Sequence, residues 1–215
     1  MSLATEIPEG PMAAKECFAF IDQRPREKWE LIDAIPELLK CETPPGPVRP
    51  GGPTARVGAT LRHARLSQNI AAALLVRAGG SGCEVLRDFF VRAINADGSE
   101  SFMDPDVIIR CGAMPNDLER SIDDPSVVFE VLSPSTLARD RGLRFDRYRT
   151  LASLHQIILV YPGEYRVETF SPGEGGNWLQ APRLLTQLGE SLEVAAIGTE
   201  LAMEEIYQGV APGEG

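Results

Sequence analysis

The stretch Ser126-Val127-Val128-Phe129-Glu130-Val131-Leu132-Ser133-Pro134-Ser135-Thr136 decides how this chain reads. Its first seven residues, apolar apart from Ser126 and Glu130, predict a buried strand. Ser133-Pro134 then predicts a helix start, because serine caps a helix and proline is tolerated in its first turn. A carboxylate inside such an apolar run is costly to bury without a cation or a hydrogen-bond donor. Upstream, Pro105-Asp106 opens a second apolar run, Val107-Ile108-Ile109. If the two runs pair, Asp106 and Glu130 meet at one edge of a sheet, within reach of one hard cation such as Mg2+ or Mn2+. Taken singly, Asp106 also reads as a turn residue after proline, and Glu130 as a partly solvated strand residue.

Downstream, the helix is expected to run to about Leu151 and carries Asp140, Arg144 and Tyr148 at i, i+4 and i+8, one ridge on its surface. That ridge is either an intrahelical ion pair beside a surface tyrosine or a functional face turned toward the carboxylates. Gln156–Tyr161 predicts a buried strand, with Tyr165–Phe170 as its hairpin partner across Pro162-Gly163. From Leu184 a weak strand and a short helix over Leu201–Tyr207 close the chain.

Upstream, residues 13–22 predict a helix, and Trp29–Asp33 and Ile35–Leu39 two short strands. Residues 43–58 hold five prolines and four glycines and read as loop. Thr60–Ala78 has helical periodicity, with Leu66, Ile70 and Leu74 on one stripe and Gly79-Gly80 ending it. His63 shares the phase of that stripe, which suits a core histidine or a residue aimed at the site. Glu30 reads as a solvated strand residue or a further acidic ligand. Val85–Ile94 predicts one strand, and Asp97-Gly98 a hairpin leading into the strand after Pro105.

This order of elements implies an α/β chain, a mixed sheet flanked by helices. Its 215 residues suit one domain, with 1–58 an N-terminal helix/strand extension and 59–215 the core. The net charge of −10 argues against a general-purpose nucleic-acid binder. Against that, Arg139, Arg141, Arg144, Arg147 and Arg149 crowd into eleven residues and suggest a local basic face. Cys17, Cys41, Cys83 and Cys111 show no paired spacing, which predicts neither a zinc site nor a disulfide framework and points to the cytoplasm. The first residues lack the pattern of a signal peptide, and no membrane association is expected.

Trp29-Glu30-Leu31-Ile32-Asp33, His63 ahead of a long helix, Pro105-Asp106-Val107-Ile108-Ile109 and Val127–Thr136 with the spaced Asp140, Arg144 and Tyr148 resemble one family along nearly the whole chain. It is the Uma-type restriction endonuclease family of the PD-(D/E)XK nuclease-like superfamily. The resemblance implies a restriction-endonuclease-like core, DNA as substrate, and a cation held by Asp106, Glu130 and the Val131 carbonyl. Glu30 and His63 match the family's auxiliary acidic and histidine positions. The superfamily places a lysine two residues after the glutamate, where this chain has Leu132. The family supplies it from the following helix, at the position of Arg144. Arginine stays protonated and cannot act as a general base, though it can stabilise charge on a phosphoryl group. A nuclease cutting both strands of a duplex commonly works with two sites, so a homodimer is expected, with 43–58 a candidate arm. A nuclease-fold protein that binds nucleic acid or a partner without cleaving it is the alternative.

Overall fold

Two sheets form where the strand-like runs lie, in a computed structural model that describes residues 10–25, 27–41, 60–113, 116–132, 141–179, 181–211 and 213. The first sheet takes β1 (Glu27–Ile32), β2 (Ile35–Cys41), β4 (Phe90–Ile94), β5 (Glu100–Met103) and β7 (Ser121–Ile122), in the order β2-β1-β5-β4-β7. The second takes β3 (Cys83–Leu86), β6 (Val107–Cys111), β8 (Pro125–Val131), β9 (Gln156–Val160), β10 (Val167–Phe170) and β11 (Arg183–Leu185), in the order β11-β10-β9-β8-β6-β3. The β8–β9 pair is parallel and every other pair in this second sheet is antiparallel. Its central strands are apolar on both faces, as a sheet covered on both sides must be.

Alternation sorts these strands between two cores. Val107, Ile109, Val127, Phe129 and Val131 turn toward α2 (Leu61–Ala78), whose Leu66, Ile70 and Leu74 are fully buried against them. Each of those three side chains contributes about 1.5–3 kcal/mol by leaving water. The hairpin of β12 (Ser191–Val194) and β13 (Thr199–Ala202), with the short α4 (Met203–Ile206), completes that layer. Ile108, Val128, Ile157 and Leu159 turn the other way, toward Ile32, Val91, Ala93 and Met103 of the first sheet. Phe145 and Tyr148 of α3 (Leu143–Tyr148) pack into the same inter-sheet core. α1 (Ala14–Asp22) covers the outer face of the first sheet through Cys17 and Phe18 against Leu31 and Phe102.

Several expectations need correction. The run Val85–Ile94 is two strands in different sheets, parted at Asp88, whose φ of 50° turns the chain. The hairpin at Asp97-Gly98, with Gly98 at φ 84°, leads into β5 and not into the strand after Pro105. Both errors share one cause: apolar periodicity identifies a strand without naming the sheet it joins. Cys83 and Cys111 are joined by a disulfide, contrary to the expectation from their spacing, because the β3–β6 register sets them opposite one another. The inference of a reducing compartment loses its premise. The helix expected from Ser133 to Leu151 is described only from 141, where Arg141-Gly142 form a turn before α3. Residues 133–140, with Asp140, and the loop 43–58 lie outside the described residues. Among the described residues no helix is long and apolar enough to cross a membrane.

Candidate active site

β6 and β8 run antiparallel with Val107 opposite Phe129 and Ile108 opposite Val128. Carried one residue further, that register places the Asp106 backbone beside that of Glu130. Asp106 Oδ2 accepts the Val131 N–H at 2.8 Å, and His63 Nε2 lies 3.3 Å from Oδ1. In an extended strand a residue's N–H and C=O leave on the same side, so the Val131 carbonyl also faces Asp106. His63 reaches this edge from the first turn of α2, where its own N–H donates to the Thr60 cap at 3.3 Å.

Glu130 is buried, and its neighbours are donors. Tyr148 O–H donates to Glu130 Oε1 at 2.6 Å, and Arg144 Nη2 lies 2.7 Å from the same oxygen. Arg144 Nη2 is also 2.9 Å from Glu30 Oε1, which accepts the Asp104 N–H at 2.7 Å. The side chains of Arg144, Glu30 and Glu130 are only 4%, 0% and 4% exposed. One guanidinium thus ties β1, β8 and α3 together in a dry space, where an unpaired charge is very costly. The ridge expected from the sequence is real for Arg144 and Tyr148, which touch at 3.2 Å. It faces inward to the carboxylates and not to solvent.

Charges and hydrogen bonds set the protonation states. Burial pushes the Asp106 carboxyl up, but His63, the Val131 N–H and Lys28 outweigh it and hold it below the ordinary carboxylate range. Burial foremost, with Glu130 and Glu30, holds the Tyr148 phenol well above its usual range against the pull of Arg144, so it stays a neutral donor.

Two residues at this edge escaped the sequence reading. Lys28 Nζ lies 2.7 Å from Asp104 Oδ2 and 4.0 Å from Asp88 Oδ1. Burial lowers the Lys28 pKa, yet Asp104, with Asp106 and Asp88 behind it, raises it overall. Asp104 is itself raised, burial outweighing Lys28. The available signal was parity: Lys28 precedes Glu30 by two on one strand, and Asp104 precedes Asp106 by two.

The crowded arginines do not make one open basic face. Arg144 is buried, Arg147 forks onto Asp33 at 2.6 and 2.7 Å, and Arg149 donates to the Trp178 carbonyl at 3.4 Å. Internal carboxylates and carbonyls absorb charges that a linear count had assigned to solvent. Arg139 lies outside the described residues.

Two packed sheets flanked by helices, with a carboxylate from each of two neighbouring strands facing across one edge, define a nuclease-type α/β fold. A crystal structure from Anabaena variabilis, described as a "putative nuclease belonging to DUF820", has this fold, with a TM-score of 0.62 over 91% of this chain and 97% of that one at 12% identity. The model of the Uma2 family, described as "Putative restriction endonuclease", matches residues 51–204, and the chain belongs to that family. Two proteins of Synechocystis sp. are similar to it in sequence. The uncharacterized protein slr1290 is 27% identical over 202 residues, covering 94% of each chain. The uncharacterized protein sll1609 is 31% identical over 140 residues, covering 64% of this chain and 75% of its own.

Proposed function

We propose that the chain is a divalent-metal-dependent endonuclease that hydrolyses DNA phosphodiester bonds at the edge formed by Asp106 and Glu130. The observation carrying this reading is the Asp106 carboxylate against the Val131 peptide, next in sequence to Glu130. Among the described residues no cluster of three or more His, Cys, Asp or Glu side chains could hold a metal ion. A pair of carboxylates and one backbone carbonyl nevertheless fits Mg2+, which takes one or two carboxylates and keeps several waters. Asp106, Glu130 and Val131 would hold it. When bound, such an ion lowers the pKa of water and neutralises charge on the phosphoryl oxygens.

The remaining roles belong to the chain. His63 and the Val131 N–H fix the Asp106 carboxylate and keep it ionised. Tyr148 and Arg144 hold Glu130 in its rotamer. Arg144 cannot take up a proton and serves as charge support. Lys28, part-exposed beside Asp104 and close enough to act on Asp106, suits a phosphate oxygen. A two-fold homodimer belongs to this reading, since cutting both strands calls for two sites.

A second reading, a nuclease-fold protein that binds without cleaving, draws on one observation. Arg144 already shares its positive charge between Glu130 and Glu30 from within, where a cation would otherwise sit. A plasmid-nicking assay with Mg2+ and Mn2+ decides between them. Nicking by the wild type that disappears in Asp106→Asn and Glu130→Gln, with circular dichroism unchanged, supports hydrolysis. A wild type inert with both metals on supercoiled, linear and single-stranded DNA leaves the binding protein. Light scattering that gives a monomer mass at micromolar concentration would remove the dimer.

A further inference from the structure

Glu130 belongs to a row of residues that continues across the sheet. Glu130 faces Leu159 on β9, and Leu159 faces Glu168 on β10. Glu168 therefore lies in the same row and on the same face as Glu130, two strands away, which is about 10 Å at the usual strand spacing. Its side chain is 1% exposed, yet it carries two arginines that reach solvent. Arg141 Nη2 meets Oε2 at 2.6 Å, while Arg166 meets Oε1 through Nε at 3.1 Å and Nη2 at 2.5 Å. Those arginine side chains are 41% and 33% exposed.

The mounting is rigid. The Arg166 guanidinium lies 4.6 Å from the centroid of the Tyr161 ring. The Tyr207 hydroxyl accepts the Arg166 N–H at 3.1 Å and bridges the Tyr161 and Arg166 carbonyls at 2.9 and 2.8 Å. The buried Glu168 carboxylate neutralises one of the two positive charges. Glu164, exposed and 3.3 Å from Arg166 Nη1, competes for Arg166 from the rim.

Resting on the nuclease reading, the geometry points to Arg141 and Arg166 as a phosphate clamp, preset by Glu168, that grips the DNA backbone beside the cleavage edge. A separation of about 10 Å corresponds to two or three nucleotides at 3.4 Å of rise per phosphate along one strand. The clamp gives a chain of net charge −10 a local contact for a polyanion: two part-exposed guanidiniums whose remaining N–H donors are held at fixed points of the surface. Five N–H donors per guanidinium leave each arginine able to serve a phosphate while bound to Glu168.

The test is fluorescence anisotropy with a labelled duplex in EDTA, where no cleavage intervenes, over a series of salt concentrations. Each phosphate contact contributes about 0.9 to the slope of log K against log salt. Arg166→Ala and Arg141→Ala should each flatten the slope by about 0.9 and weaken binding about eightfold at 0.1 M salt. Arg166→Lys should restore the slope. Glu164→Gln should tighten binding without unfolding risk, since it is a surface change. The double variant Arg166→Ala/Glu168→Gln, which leaves no unpaired buried charge, is the control for folding. Slopes that stay at the wild-type value in the folded arginine variants, or a wild type that does not bind DNA at low salt, overturn the clamp. Metal-dependent nicking with unchanged slopes overturns the clamp alone. Flattened slopes without nicking uphold the clamp and overturn hydrolysis alone.

Discussion

Replacing Arg144 by methionine removes the one guanidinium that lies within 2.9 Å of both Glu30 and Glu130, in a space where those carboxylates are at most 4% exposed. At an effective dielectric of 20, one contact between charges about 4 Å apart amounts to about 4 kcal/mol, so two amount to about 8 kcal/mol before offsets. Mutual repulsion of the carboxylates and the arginine's own desolvation reduce this. Breaking a buried pair from one side costs about 3–5 kcal/mol, and two stranded carboxylates place this case in the upper half of that range. A chain of this size loses about 2–4 °C of Tm per kcal/mol, so the drop should be about 8–20 °C at pH 7. Buried carboxylates that have lost their counter-charge take up protons more readily, and the deficit should shrink as pH falls toward 5. Urea denaturation followed by circular dichroism between pH 5 and 8 measures both effects. The triple variant Glu30→Gln/Glu130→Gln/Arg144→Met, which carries no charge in the cluster, should regain most of the loss. A deficit below about 1 kcal/mol, or one independent of pH, refutes the account of a dry ion cluster joining β1, β8 and α3.

The Asp106 carboxyl is held below the ordinary range in the folded state, so its stabilising contribution is complete above that range and drains as pH falls through the depressed value. Asp106→Asn should therefore flatten the acid limb of stability measured by denaturant titration between pH 5 and 2, and an unchanged limb would show that His63 and Val131 contribute nothing through it. Ala34 turns the β1–β2 hairpin at φ 64°, where a Cβ costs about 1–2 kcal/mol, so Ala34→Gly should raise Tm by about 2–8 °C in differential scanning calorimetry.

The sequence by itself determined the class of the fold and the two apolar runs that carry the candidate carboxylates. Val107–Ile109 and Val127–Val131 are apolar at every position but Glu130, and a run of that kind forms a central strand in almost any context. It also located α2, since Leu66, Ile70 and Leu74 at helical spacing and the Gly79 stop are local signals. Tertiary structure alone decided what surrounds those carboxylates. Lys28 and Asp104, far apart in sequence, meet at 2.7 Å because β1 and β5 pair as antiparallel neighbours in the first sheet. Arg144 read either as a surface ion-pair residue or as part of a face turned to the carboxylates, because helical spacing records which residues share a ridge and not which way the ridge faces. Strand pairing explains the rest: Cys83 with Cys111, and Glu130 in one row with Glu168, follow from registers set by distant segments. Periodicity along a chain specifies which residues are buried, but partners across a sheet are chosen by the packing of the whole, which no single stretch of sequence encodes.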